Sequence, residues 1–173
     1  PGDGIGPEVT AQAVKVLKAI AMEFNHIFTF NNALVGALAI EKTGSPLPEE
    51  TISICEKADA ILFGAIGTTA YDLDPNAKIR PEQGLLGLRK TLDLYTNIRP
   101  IIAYEDLLNK SSLKKNQIKD TNILIYRELT SGIYFGERKL SDDGNKATDI
   151  CEYTRDEIER IAHLAFKAAQ SRK

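Results

Sequence analysis

From Val9 through Ala13, Leu17 and Ile20 to Phe24, apolar residues return every three or four positions with polar ones between them. That spacing predicts a helix with one buried face, running to about Asn25. Pro7 and Glu8 suit its first turn, where a missing N–H costs nothing and a carboxylate meets the positive end of the helix dipole. HIFTF is then read as a short strand. After KTGSPLP, Pro48, Glu49 and Glu50 open a second helix that ends near Lys57. The nearly continuous apolar run AILFGAIG has the character of a parallel strand covered on both faces.

Strand and helix in alternation predict an α/β fold with an open, mostly parallel sheet and flanking helices. Ligands in such sheets sit at strand ends, here the glycine-bounded residues 64–67. A polar, proline-bearing loop leads to a third helix, PEQGLLGLRKTL. The extended DLYTNIRPII follows, in which Pro100 keeps Arg99 out of helical geometry. Beyond it lie the polar crossing LLNKSSLKKNQIKDTN, the expected strands NILIYREL and GIYFGE, and the hydrophilic RKLSDDGNKATD. The last helix carries a capping-box pattern at Thr154 and Glu157 and a core stripe of Ile158, Ile161, Ala165 and Ala168. A change of character near Arg99 predicts two parts, residues 1–98 and 99–173.

Composition narrows the function classes. With 43% hydrophobic residues, 27% charged and a formal net charge of -2, the chain has neither a disorder signature nor the basic excess of a nucleic-acid binder. Cys55 and Cys151 are far apart and His26 and His163 have no partner spacing, so the pattern supports neither a disulfide framework nor a zinc site. No apolar run reaches the roughly 18 residues of a membrane span and no signal-peptide pattern is present, so a cytoplasmic protein without a membrane partner is expected.

Candidate chemistry gathers on the third helix. Glu82, Leu85, Leu86 and Arg89 stand at i, i+3, i+4 and i+7, placing a carboxylate, two leucines and a guanidinium on one face. Such a face suits a ligand with an alkyl group beside a carboxylate. It equally suits a helix whose leucines are core and whose charged residues are solvated ends. Arg99 and Arg127 sit on strand-like segments among apolar neighbours, where a buried guanidinium needs an anionic partner. Three converging arginines would suit a small di- or tricarboxylate. With 24 acidic residues available, separate ion pairs are the alternative. Tyr134, shortly after Arg127, could act as general acid or simply pack its ring.

The opening PGDGIGPEV lacks the GxGxxG spacing and has no strand before it, so it is not a Rossmann fingerprint. PGDGIGPEV, ILFGAIG, DPNAKIRPEQGLLGLRK, LYTNIRPI, YRELTSGIYFGE and YTRDEIERIAHLAF together resemble the isocitrate/isopropylmalate β-decarboxylating dehydrogenase family, in its isopropylmalate branch. The resemblance runs from the first residue to the last. It implies an isopropylmalate dehydrogenase-like fold rather than a Rossmann fold, with NAD and Mg or Mn as cofactors, a homodimer, and a place in leucine biosynthesis. The implied reaction converts 3-isopropylmalate to 2-oxoisocaproate.

Residue by residue, Arg89, Arg99 and Arg127 match the substrate-holding arginines and Tyr134 the catalytic tyrosine. Glu82, Leu85 and Leu86 match positions facing the isopropyl group and the nicotinamide, and Gly4, Ile5 and Gly6 the turn lining the cofactor cleft. GLLGLR favours an alkyl substituent over the carboxymethyl of isocitrate. Residues 136–153 match an arm that pairs across the dimer. The family's catalytic lysine and metal-binding aspartates have no counterpart in this sequence, so the 173 residues alone are not expected to turn over substrate. At Thr68, Thr69 and Ala70 the sequence departs from the Pro-Lys pair usual in the family. The alternatives are a sibling acting on tartrate, homoisocitrate or isocitrate, or a non-catalytic chain that serves as a dimerisation partner.

Overall fold

A computed structural model describes residues 1–72 and 77–172; part of the polar loop before the third helix, residues 73–76, lies outside them. The chain divides into two compact units, Pro1–Leu92 and Asp93–Lys173. The boundary expected at 98/99 falls inside a strand of the second unit.

The first unit contains α1 (Gly6–Phe24), α2 (Ala37–Thr43), α3 (Glu49–Glu56), α4 (Thr69–Asp72) and α5 (Glu82–Thr91). α1 forms where the periodicity placed it and ends at Asn25, whose left-handed backbone (φ 54°) closes the helix with its N–H on the Ala21 carbonyl. Its apolar stripe is only partly covered: Ala13 and Leu17 are half-buried, whereas Val9, Ile20 and Phe24 are exposed.

HIFTF pairs with no strand among the described residues. Phe24, His26, Phe28 and Phe30 follow one another on one side, with ring centroids 6.1 to 6.4 Å apart. The short strand expected there lacks, among the described residues, the hydrogen-bonding partner it requires. Among the described residues AILFGAIG likewise forms no strand ladder. Its pairing is one parallel bridge between Ala65 and Gly2, where Asp3 N–H donates to the Ala65 carbonyl at 2.7 Å. Helix α2, which the sequence pattern did not reveal, lies at the centre of the unit's small core with Val35, Ala37, Ala39, Thr51, Pro81 and Leu88 buried.

The second unit contains β1 (Thr96–Ile102), a 3-10 turn (Glu105–Lys110), α6 (Lys115–Ile118), β2 (Asn122–Glu128), a second 3-10 turn (Gly132–Tyr134), β3 (Arg138–Leu140), β4 (Ala147–Asp149) and α7 (Arg155–Ser171). β1 and β2 form an antiparallel ribbon with Thr96 opposite Glu128 and Ile102 opposite Asn122. Because neighbours on a strand point to opposite faces, Thr96, Tyr126 and Glu128 share one face while Asn97, Arg99 and Arg127 share the other.

α7 covers the first of these faces through Ile158, Ile161 and Arg160. It begins at a complete capping box: Thr154 accepts from the Glu157 N–H, and Glu157 returns a carboxylate to the Thr154 N–H. GIYFGE is not a strand. Its first residues make the second 3-10 turn, because Gly132 adopts φ +66° and its carbonyl accepts from the N–H groups of Phe135 and Gly136. Helices and strands mix as an α/β chain requires, and the ladders among the described residues are antiparallel. Among those residues no helix is long and apolar enough to cross a membrane.

Candidate functional site

In the first unit the glycine-rich entry to α1 is a packing joint. A Cβ on Gly6 would stand 2.2 Å from the Pro1 carbonyl oxygen and 2.9 Å from the Ala65 nitrogen, so only glycine lets the turn lie this close to the 61–67 segment. Gly4 and Ile5 are exposed at the tip. A Cβ on Gly4 would lie 3.0 Å from the Gly67 carbonyl oxygen, and one on Gly67 would lie 3.6 Å from Glu82 Oε1. The fold therefore gathers Gly4, Gly67 and the exposed Glu82 carboxylate at one place, although they are widely separated in sequence. Open backbone beside a carboxylate can receive a ligand that donates hydroxyl hydrogen bonds.

Asp3 is the functional-looking residue that sequence reasoning missed here. It is buried, and its carboxylate accepts from the N–H groups of Ala37 (2.7 Å) and Leu38 (3.0 Å), capping α2 from outside that helix. Its role is to tie the glycine turn to α2. With its partners more than thirty residues away, no local signal could have shown it.

On α5 the face chosen by spacing is not the core face. Gly84 and Leu88 are buried together with Pro81, and a Cβ on Gly84 would meet the Pro46 carbonyl at 2.4 Å. Leu85, Leu86 and Arg89 are half-buried beside that stripe and Glu82 is exposed. The alternative in which the paired leucines are the core is thereby corrected, since close approach at Gly84 rotates α5 until they lie at the edge.

In the second unit Arg99 and Arg127 stand diagonally across the ribbon, on the face away from α7. For Arg99 the expectation of a buried guanidinium is corrected, whereas Arg127 is half-buried. Arg99 is exposed, and among the described residues neither arginine is in an ion pair. Arg127 instead donates from Nη2 to the Tyr134 hydroxyl, and its guanidinium lies 5.2 Å from that ring's centroid. A cationic surface with a phenol at its edge can take an anion and hold a proton donor beside it.

The opposite face carries a polar network that sequence reasoning did not find. Glu128 accepts from Thr130 N–H (2.8 Å) and Oγ1 (2.7 Å), from Ser131 N–H (3.0 Å) and Oγ (2.9 Å), and from Arg160 Nη2 (2.9 Å). Burial pushes the Glu128 pKa up, but hydrogen bonds from Thr130, Ser131 and Arg160 outweigh it and hold the group below the usual glutamate value. Arg160 also reaches Asp93 at 3.0 Å and lies 4.3 Å from the Tyr95 ring centroid. A glutamate just before Thr-Ser is the one local hint; Arg160 lies too far along the chain to be paired with it by spacing.

For a metal, no group of three or more His, Cys, Asp or Glu among the described residues could hold the ion. The described residues by themselves do not make such a site.

The sequence matches the profile of the isocitrate/isopropylmalate dehydrogenase family over residues 1–173. Among similar curated proteins are the 3-isopropylmalate dehydrogenases of Bacillus caldotenax (47% identical) and Heyndrickxia coagulans (49% identical), each over 100% of this chain and 48% of the relative. That of Bacillus subtilis strain 168 is 48% identical over the same shares. The chain thus spans about half the length of the curated relatives it matches. Among solved structures, an isocitrate dehydrogenase from Methylococcus capsulatus aligns with a TM-score of 0.79 at 30% identity, over 99% of this chain and 46% of that one. A β-decarboxylating dehydrogenase from Thermococcus kodakarensis in its apo form aligns at 0.63 and 33% identity, over 99% and 44%.

Proposed function

This chain belongs to the isocitrate/isopropylmalate dehydrogenase family, and from that membership we propose that the protein carrying it oxidises 3-isopropylmalate with NAD, then releases carbon dioxide to give 2-oxoisocaproate, a step of leucine biosynthesis. The observation that carries this reading is the pair of guanidiniums, Arg99 and Arg127, on one ribbon face with no carboxylate partner among the described residues and with Tyr134 on one of them. Such an arrangement binds the carboxylates of a small acid bidentately and keeps a phenol at the substrate's edge. On α5 of the first unit, Arg89, Leu85 and Leu86 are assigned to the substrate from the family resemblance alone, the arginine for a carboxylate and the leucines for the isopropyl group.

The group NAD supplies is the hydride acceptor, and the residues that would hold it are Gly4, Ile5, Gly6 and Glu82. There the exposed Gly4 backbone and the Glu82 carboxylate meet around Gly67. With NAD bound, hydride would pass from the hydroxyl-bearing carbon to the cofactor, the hydroxyl proton would go to solvent, and the neighbouring carboxylate would then depart as carbon dioxide. Tyr134 gives its proton to the carbon that lost the carboxylate. A homodimer in which the β3–β4 hairpin pairs with a second copy is part of the same proposal.

The test is NADH formation from 3-isopropylmalate by the protein carrying this sequence, beside isocitrate, tartrate and homoisocitrate. Preference for the isopropyl acid is expected; preference for another would reassign the substrate. An Arg127→Met variant is expected to raise KM at least about tenfold through loss of a charge-assisted pair.

A further inference from the structure

The residue that touches Tyr134 is Arg127, and the residue after it, Glu128, points to the opposite face of β2. There Glu128 fixes the chain leading to Tyr134: its carboxylate takes both the N–H and the hydroxyl of Thr130 and both the N–H and the hydroxyl of Ser131. Ser131 and Gly132 are buried, and Gly132, at φ +66°, places its N–H on the Glu152 carbonyl at 3.0 Å. The 3-10 turn that ends in Tyr134 therefore leaves a backbone whose two preceding residues are held by one carboxylate.

That carboxylate is itself held from α7. Arg160 Nη2 bonds Glu128 at 2.9 Å and also donates to the Thr130 hydroxyl, while Nη1 bonds Asp93. The Glu128 side chain is only 9% exposed and that of Arg160 26%, so this is a sheltered clamp and not a solvated surface pair.

We propose that Glu128, gripped by Arg160, is a positioning residue for Tyr134: it sets the Thr130 and Ser131 backbone and thereby holds the phenol on the Arg127 guanidinium. The inference rests on the reading of Tyr134 as proton donor for its kinetic consequence, but its structural consequence stands apart from any turnover. Neither Glu128 nor Arg160 touches the ribbon face that would carry the substrate, so their loss moves the proton donor without removing a substrate-binding arginine.

The experiment compares the unaltered protein with Glu128→Gln, Arg160→Leu and, as a milder cut, Ser131→Ala. Readouts are the NMR cross-peak between the Arg127 side chain and the Tyr134 ring, together with kcat and KM for 3-isopropylmalate. Expected is loss of the cross-peak in Glu128→Gln and Arg160→Leu and its weakening in Ser131→Ala. kcat should fall about a hundredfold, the cost of a small misplacement of a reacting group, while KM stays within about threefold. Lys167→Ala, exposed on the same helix, changes neither readout.

Retention of the cross-peak and of kcat in folded Glu128→Gln overturns the proposal. Should the two strong variants fail to fold, Ser131→Ala decides, and an unchanged cross-peak there likewise overturns it. If the unaltered protein does not act on the isopropyl acid, the substrate reading fails while the cross-peak still tests the clamp.

Discussion

The two candidate clusters are built on opposite principles. In the first unit the turn at Gly4 and Gly6 is held by backbone against backbone, with missing side chains as the enabling feature and Asp3 as the one charged tie. In the second unit the turn at Tyr134 is held by side chains, a carboxylate and a guanidinium spanning β2, the Thr130-Ser131 turn and α7. A joint made of close approach is sensitive to any added atom and indifferent to charge. A joint made of an ionised network tolerates small changes of volume and fails when a charge or a donor is lost.

The contrast is broken hardest at Gly6. Gly6→Ala, whose Cβ would stand 2.2 Å from the Pro1 oxygen, is expected to cost about 3 kcal/mol by overpacking, read from denaturant unfolding of the first unit. A cost near zero would mean the turn is not the rigid joint described. Asp3→Ala leaves the Ala37 and Leu38 N–H groups without their acceptor and should cost about 2 kcal/mol; Asp3→Asn, which keeps one acceptor, should cost less. Thr154→Ala removes the cap of α7 and should lower stability by about 1 kcal/mol, with loss of helical signal confined to that end.

Acid sharpens the comparison at the smaller end. Glu128 has its pKa lowered by folding, so its contribution is fully present above the ordinary glutamate range and is lost as the pH falls through its folded value. An amide-exchange or NMR titration should therefore show the 130–134 turn loosening below the usual glutamate range, and in Glu128→Gln that acid step should be absent. In the β3–β4 hairpin, Asp143 accepts from Ser141 Oγ and from the Asn145 N–H and side-chain amide, which hold it down at about 2. Its carboxyl carbon resonance should titrate there, and a midpoint near the ordinary aspartate value would show that the turn is open in solution.

Periodicity made α1 and α7 legible and local start signals and composition made α3, α5 and the β2 strand legible, because all of these are properties of neighbouring residues. Arg99, Arg127 and Tyr134 were legible as candidates from residue type and motif order. What periodicity could not supply was pairing. HIFTF reads as a short strand yet has no strand partner among the described residues, and a strand exists only with a partner. GIYFGE reads as strand by composition, but Gly132 in left-handed geometry against the Tyr153 hydroxyl turns it into the 3-10 turn that carries Tyr134.

By itself, then, the sequence determined which residue types stand on which element: a glycine-bounded turn before a helix, two arginines on strand-like segments, a capped final helix. The tertiary structure alone decided that Leu85 and Leu86 flank the α5 core, that Arg127 meets a phenol, and that Asp3 and Glu128 anchor the two turns. Those outcomes depend on contacts between residues distant along the chain, and such contacts arise from packing and the satisfaction of buried polar groups, which no local spacing encodes.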